Sequence, residues 1–269
     1  MYSVDDPTLQ DKERSLRHHI RSLERAAVAF SGGVDSTLVL QMAKEELGED
    51  VIALIAVSPV LAKIELDDAV KIARTIGVTL LQVASSEMDD EGFASNGRDR
   101  CYQCKTHNLS LLLETAGSMG FGILLDGSNA DDMRSSRPGL RSLRETGTLS
   151  PLAAAGLTKD EVRALAKKEG LSNWNKPSSP CLASRIPYGE RITEEKLRMV
   201  EAAEGSLHSL GLGQVRVRMH NDVARIEVDE ADLQSALDHR MEIVSALKRA
   251  GFKFVSLDLE GFRSGSLDR

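Results

Sequence analysis

Ala26-Ala27-Val28-Ala29-Phe30, followed by Ser31-Gly32-Gly33-Val34-Asp35-Ser36, is the stretch that decides the fold. Five apolar residues predict a strand. The two glycines behind it let the backbone approach an anion and turn successive N–H groups toward it, and the helix predicted from Thr37 adds its positive end. A strand, a glycine turn and a helix in this order predict a phosphate-binding unit. The GxxxxGK[ST] spacing and its lysine are absent, as is the GxGxxG spacing of dinucleotide turns. The Ser31 and Ser36 hydroxyls and the amides around Gly32 and Gly33 are candidate phosphate ligands. Asp35 is a candidate for holding the loop or a Mg²⁺ ion, or else simply an acid favoured by the helix dipole.

Outward from this loop, strands and helices alternate. Asp11 to Arg25 carries apolar residues at helical spacing (Leu16, Ile20, Leu23) and leads into the first strand. Helices are predicted over Thr37 to Leu47, Leu61 to Ile76 and Lys105 to Met119, and strands over Val51 to Val57, Val78 to Val83 and Gly122 to Asp126. Val51 to Val57 is an almost unbroken apolar run, as a strand covered on both faces requires. The alternation implies an α/β fold with a doubly wound parallel sheet. Thr158 and Glu161 have capping-box spacing for a helix to Lys168.

Beyond a Pro- and Ser-rich segment the pattern changes. Thr193 caps a predicted helix through about Leu210. Val215 to His220 and Val223 to Val228 alternate apolar and polar residues about Asn221-Asp222, predicting a hairpin with one wet face. A helix over Glu230 to Ala250 and a strand over Phe252 to Leu259 complete a small α+β unit. We therefore expect a nucleotide domain over 1–175, a linker over 176–190 that carries Cys181, and a C-terminal α+β domain over 191–269 for substrate binding and oligomerisation.

The chain has 269 residues, 41% hydrophobic and 28% charged, enough for one large domain or a domain plus a smaller one. A net charge of -7 offers no general attraction for polyanions, so no nucleic-acid partner is expected. No apolar run approaches the ~20 residues of a membrane span and the polar N-terminus lacks a signal-peptide core, so no membrane partner and a cytoplasmic location are expected. Three cysteines do not make a disulfide framework.

Cys101-Tyr102-Gln103-Cys104 is a CxxC whose thiolates reach one metal or cluster, and Cys181 lies far along the chain. A structural zinc site completed by His107, a [4Fe-4S] cluster with one open iron, a redox pair and three unconnected thiols all fit this spacing. Val57 and Ser58 follow a strand at the carboxyl edge of the sheet, where ligands bind, and are candidates for meeting the adenine. Asp131 lies in Asp126-Gly127-Ser128-Asn129-Ala130-Asp131-Asp132 on the same edge, a run that also reads as a polar turn. Arg216 and Arg218 suit anion recognition from one hairpin face, with Arg225 and Glu227 on the return strand. A solvated edge with cross-strand ion pairs fits equally. Glu204 and Arg263 are ambiguous in the same way.

The SGGxDS segment resembles the PP-loop of ATP pyrophosphatases, which split ATP into AMP and pyrophosphate while adenylating a carbonyl or carboxylate oxygen. That segment, Arg100 to Lys105 (RCYQCK), DGSNADD with Arg137-Pro138-Gly139, Pro180 to Thr193 (PCLASRIPYGERIT), Val215 to His220 (VRVRMH) and Gly261 to Ser266 (GFRSGS) together resemble the LarE family over nearly the whole chain. These are ATP-dependent sulfur transferases of nickel-pincer nucleotide cofactor assembly. The resemblance implies ATP with Mg²⁺, a small-molecule nucleotide (pyridinium-3,5-biscarboxylate mononucleotide) as substrate, and Cys181 as the sulfur-handling residue. It implies a cluster on Cys101, Cys104 and Cys181, since members with two additional cysteines are thought to carry one. Arg216, Arg218 and Arg263, with Ser184 and Arg185 of the CLASR motif, become substrate-binding candidates, and Glu204 and Glu227 supporting or proton-handling ones. A homo-oligomer, a sulfide donor and other nickel-pincer biosynthesis proteins are the implied partners. A PP-loop tRNA thiolase, an amidotransferase partner and a nucleotide-sensing module with structural zinc are the competing readings.

Overall fold

A computed structural model describes residues 7–134 and 139–263. Arg137 and Pro138, and Ser264 to Ser266 of the GFRSGS motif, lie outside the described residues. The described residues pack as two compact units, those within 1–58, 63–87 and 101–179 in the first, and those within 59–62, 88–100 and 180–269 in the second. The second unit therefore gathers two short segments from within the nucleotide-binding half of the sequence. Among the described residues no helix is long and apolar enough to cross a membrane.

The first unit is an α/β layer structure. Its elements are α1 (Pro7–Arg21), β1 (Ala26–Ala29), α2 (Val34–Leu47), β2 (Val51–Val57), α3 (Lys63–Ile76) and β3 (Leu80–Ala84). The short α4 (Glu91–Ala94) belongs to the second unit, and α5 (Arg100–Ser118), β4 (Leu124–Leu125), α6 (Ala130–Arg134), α7 (Gly139–Thr146), α8 (Pro151–Ala154) and α9 (Lys159–Lys168) follow. The four strands are parallel in the order β3-β2-β1-β4. Ala27, Ile52, Leu54 and Leu124 pack on Leu109, Leu112 and Ala116 of α5. Ala26, Val28 and Ala53 alternate to the other face and are equally buried, so both faces are covered. That double burial is why β2 reads as an unbroken apolar run.

Among α1 to α9, four helix starts differ from expectation, α1 at Pro7, α2 at Val34, α3 at Lys63 and α5 at Arg100, and two of them bear on the site. α2 begins at Val34, so Asp35 and Ser36 lie in its first turn. α5 begins at Arg100, which places Cys101 and Cys104 in its first turn and, at i and i+3, on one helical face. CxxC spacing is compatible with loop and helix alike, so the sequence pattern does not register the difference.

The second unit comprises α10 (Glu194–Ser209), β5 (Val215–His220), β6 (Val223–Val228), α11 (Leu233–Asp238), α12 (Arg240–Arg249) and β7 (Phe254–Leu257). β5 and β6 pair antiparallel, Arg216 opposite Glu227 and Arg218 opposite Arg225, while β7 runs parallel to β6. The helix expected over Glu230 to Ala250 is broken at His239 (φ -93°, ψ 18°), which both ends α11 and precedes α12. The hairpin's polar face is not wet: Arg216 and Arg218 are 6% exposed and Glu227 is fully buried. Alternation reports two unlike faces; it does not report that the polar one is covered. Asn96, in left-handed backbone at φ 60°, ties the 88–100 segment into this unit by donating to the carbonyls of Pro187 and Glu190 at 2.8 Å each.

Thr158 and Glu161 form the expected capping box at α9, and Lys12 of α1 reaches both Glu161 oxygens at 2.8 Å. Burial would raise the Glu161 carboxyl's pKa, but Lys12 and the Thr158 amide and hydroxyl outweigh it and hold the pKa below the usual carboxylate value. A pKa lower in the folded than in the unfolded chain adds stability above the unfolded value, and that stability is lost as pH falls through the folded one. We therefore expect Glu161→Gln to lower the urea midpoint at neutral pH and the gap to wild type to close below about pH 4, as checked by denaturation across pH.

Candidate active site

The phosphate loop connects β1 to α2. Gly32 has φ +72°, and a Cβ there would lie 3.0 Å from the Ala69 Cβ of α3, so glycine is required on both conformational and steric grounds. Gly33, the N-cap, is extended and gives α2 no side-chain cap. The first-turn amides of α2 are therefore left to a ligand or to solvent, as a phosphate site needs. The Ser36 hydroxyl donates to the Gly33 carbonyl at 3.1 Å and lies 3.1 Å from the Ser31 hydroxyl, folding both toward the loop. Gly127, behind β4, approaches the same place. A Cβ on it would stand 2.7 Å from the Ser36 nitrogen, a separation that excludes any side chain.

Asp35 accepts from the Asn129 amide at 3.1 Å and is paired with the Lys159 ammonium. The Lys159 backbone N–H donates to Asp131 at 2.8 Å, so the DGSNADD run and the start of α9 are joined to the phosphate loop. Asn173 donates at 2.9 Å to both the Gly32 carbonyl and the Thr37 hydroxyl, fixing the turn from the other side. Lys159, Asn129 and Asn173 were not singled out by the sequence reading. Lys159 had a signal: a cation in the first turn of a helix is opposed by the dipole, and needs a compensating acid. A hard cation such as Mg²⁺ takes one or two carboxylates plus phosphate oxygens and water, a demand that Asp35 and Asp131 suit in donor type. Val57 closes β2 and Ser58 follows it at the carboxyl edge of the sheet.

The second unit builds its own cluster. Cys181 is exposed and starts the short helical turn Leu182–Arg185. Arg185 is 2% exposed and is occupied on every side. It donates to the carbonyls of Pro180 (2.6 Å) and Cys181 (3.0 Å), to the Ser184 hydroxyl (2.9 Å), and bidentately to both Glu204 oxygens at 2.9 Å. The Val217 backbone N–H takes Glu204 as well, at 2.9 Å. Arg185 and Glu204 thus bolt the Cys181 turn to α10 and β5. Both Glu204 oxygens are used in these bonds. Arg218 donates to the Ser184 carbonyl and to Glu227, each at 3.0 Å, and Arg225 shares Glu227 at 2.8 Å. Burial presses the Arg218 pKa down against the pull of Glu227, and the guanidinium stays charged. Arg216 lies over the Phe262 ring at 5.3 Å, and Arg263 is exposed and paired with Glu260.

The three cysteines are divided: Cys101 and Cys104 in the first unit, Cys181 in the second, none in a disulfide. In donor chemistry accessible thiolates suit iron. Among the described residues, however, no group of three or more His, Cys, Asp or Glu side chains is placed to hold a metal ion. No chemical step is therefore derived through a cluster.

A parallel sheet with an uncapped glycine turn, serine hydroxyls and a cation-paired aspartate at its carboxyl edge defines a PP-loop protein of the ATP pyrophosphatase type. The NAD synthase family model matches residues 8–109. The chain is 43% identical to an uncharacterized Synechocystis protein over 97% of its own length and 98% of that protein's. It is 41% identical to the pyridinium-3,5-bisthiocarboxylic acid mononucleotide synthase of Lactiplantibacillus plantarum, over 97% of this chain and 95% of that one. An uncharacterized protein of Methanocaldococcus jannaschii is 29% identical over 90% of this chain and 92% of its own. The chain belongs to the LarE family, that of the pyridinium-3,5-bisthiocarboxylic acid mononucleotide synthases.

Removing Glu204 leaves the buried Arg185 guanidinium without its counter-ion. Glu204→Ala is expected to cost about 3 to 5 kcal/mol in the unfolding free energy, measured by urea denaturation, against about 1 kcal/mol or less for Arg263→Ala at its exposed pair.

Proposed function

We propose that this enzyme is an ATP-dependent sulfur transferase acting on pyridinium-3,5-biscarboxylate mononucleotide, converting its carboxylates to thiocarboxylates. One observation carries the reading: an exposed Cys181 sits on a turn locked by Arg185 and joined through Ser184 to the buried arginine face of a hairpin. A nucleophilic sulfur and an anion-binding surface are thereby held in one rigid unit. The likeness to the L. plantarum synthase over almost the full chain supports the same assignment.

ATP takes the phosphate loop, with Ser31, Ser36 and the open amides of α2 on its phosphates and Val57 and Ser58 toward the adenine. Asp35 releases Lys159 when Mg²⁺ and the triphosphate arrive, Asp131 steadying the start of α9. The substrate carboxylate attacks the α-phosphorus; a C–O–P link forms, the bond to the β-phosphate bridging oxygen breaks, and pyrophosphate departs with its charge shared by Mg²⁺ and Lys159. Arg216, Arg218 and Arg263 hold the substrate's anionic groups, Glu227 keeping Arg218 aligned. The Cys181 thiolate then adds to the activated carbonyl and AMP leaves. Loss of the Cys181 Cα proton to solvent with cleavage of its Cβ–S bond leaves the sulfur on the substrate and dehydroalanine in the chain, so by this route one chain converts one carboxylate and a second chain the other. A [4Fe-4S] cluster on Cys101, Cys104 and Cys181, when bound, would supply an iron with an open position for sulfide and spare the residue. We assign the enzyme to the cytoplasm, with a sulfide donor and other nickel-pincer proteins as partners. Exposed Met241, Phe254 and Leu259 on the second unit support self-association.

The test is to supply ATP, Mg²⁺ and the biscarboxylate mononucleotide, and to follow pyrophosphate and thiocarboxylate separately. Asp35→Ala is expected to lose both by at least about a hundredfold, whereas Cys181→Ser keeps substrate-dependent pyrophosphate release and makes no thiocarboxylate. Pyrophosphate release that ignores the mononucleotide would overturn the substrate assignment.

A further inference from the structure

A chain of side chains runs from the nucleotide edge of the first unit to one of its cysteines. Glu87, on the turn that follows β3, is 1% exposed and accepts hydrogen bonds from the hydroxyls of Ser58 and, at 2.5 Å, of Ser85. The Ser85 hydroxyl also lies 2.5 Å from the Asn108 side-chain oxygen. The amide nitrogen of Asn108 in turn donates to the Cys104 sulfur at 3.4 Å, one turn back along α5. Ser58 and Ser85 each stand directly behind a parallel strand, so two strand ends and one helix face converge on a single buried carboxylate.

The chemistry of this chain is constrained by a count of hydrogens. A serine hydroxyl carries one, and Ser85 faces two acceptors at equal distance, so it serves Glu87 or Asn108 at any moment. With the hydrogen toward Asn108, the amide is held from its oxygen end and polarised, and its N–H donates more strongly to sulfur. With the hydrogen toward Glu87, the amide loses that anchor. Ser58, at the edge assigned to the adenine, donates to the other oxygen of the same carboxylate, Oε1 against Oε2 for Ser85, and so lowers the charge that attracts the Ser85 hydrogen.

We propose that Asn108 is a positioning residue for the Cys104 sulfur and that the Ser58–Glu87–Ser85 chain makes its hold depend on nucleotide occupancy. This rests on the assignment of the nucleotide to the edge at Ser58. Nucleotide arriving there draws the Ser58 hydroxyl from the Glu87 Oε1, the carboxylate with one donor fewer holds the Ser85 hydrogen more strongly on its Oε2, and Asn108 loses its anchor and loosens from the sulfur. The cysteine turn thereby registers whether ATP is present before sulfur is moved.

The experiment compares iodoacetamide labelling rates of Cys104 and Cys101 by peptide mass spectrometry, on the full chain stripped of any metal by chelator, with and without a non-hydrolysable ATP analogue. Binding of the analogue is measured in the same samples. Asn108→Leu keeps the approximate size and deletes the N–H together with the amide oxygen, adding no charge beside the sulfur. It is expected to change the Cys104 rate by about three- to tenfold, the range of one net hydrogen bond, and to leave Cys101 unchanged. The analogue is expected to change the wild-type Cys104 rate by about twofold or more and to have no effect in Ser85→Ala. Equal behaviour of Cys104 and Cys101 in all samples while the analogue binds overturns the proposal and leaves the assigned function standing; failure of the analogue to bind wild type overturns both.

Discussion

The open first turn of α2 is the constraint on which the first unit is arranged. Its amides have no side-chain cap and are left to solvent or to a ligand. Everything around them is built to keep the turn in place meanwhile. Gly32 takes a left-handed conformation against Ala69, Gly127 brings a second backbone to the Ser36 nitrogen, and Asn173 clamps the turn at the Gly32 carbonyl. Asn129 and Lys159 hold Asp35 from two further elements. Rigidity before binding matters because a loop that must be ordered by its ligand gives up part of the binding energy to do so.

The second unit solves a different problem with a buried ion pair. Isolated charges in an interior are costly, and Arg185 is tolerated only because five acceptors surround its guanidinium, two of them the Glu204 oxygens. The arrangement spends a charge to orient a turn: the carbonyls of Pro180 and Cys181 are captured, and the Cys181 side chain is left at the surface. The hairpin repeats the device with Arg218, Arg225 and the fully buried Glu227. Such a face stays charged out of water because the Glu227 carboxylate meets a guanidinium at each of its oxygens.

Much of the architecture was legible because local chemistry and tertiary position agree. The apolar runs at Ala26 to Phe30 and Val51 to Val57, the glycine turn between strand and helix, and the Thr158–Glu161 box each specify their element through nearest neighbours alone. The breaks in the reading fall where a distant partner decides. The helix over Glu230 to Ala250 gives way at His239, the CxxC joins α5, and the hairpin's polar face is covered. In the candidate site, Ser31, Asp35 and Cys181 stood out by motif. Asn129 lay in the DGSNADD run without a role of its own, and Lys159 and Asn173 fell in no motif, since an amide or ammonium has no signature until its partner is known.

By itself the sequence determined the strand–helix order, the phosphate turn and the residue types able to carry sulfur and bind anions, because hydrophobic period and glycine placement act over a few residues. Only the tertiary structure decided that Arg185 and Glu204 form a buried ion pair beneath the Cys181 turn and that Asn108, Ser85 and Glu87 lie between Cys104 and Ser58. Hydrogen-bond geometry and desolvation depend on atoms brought together from remote segments, and no local pattern encodes them.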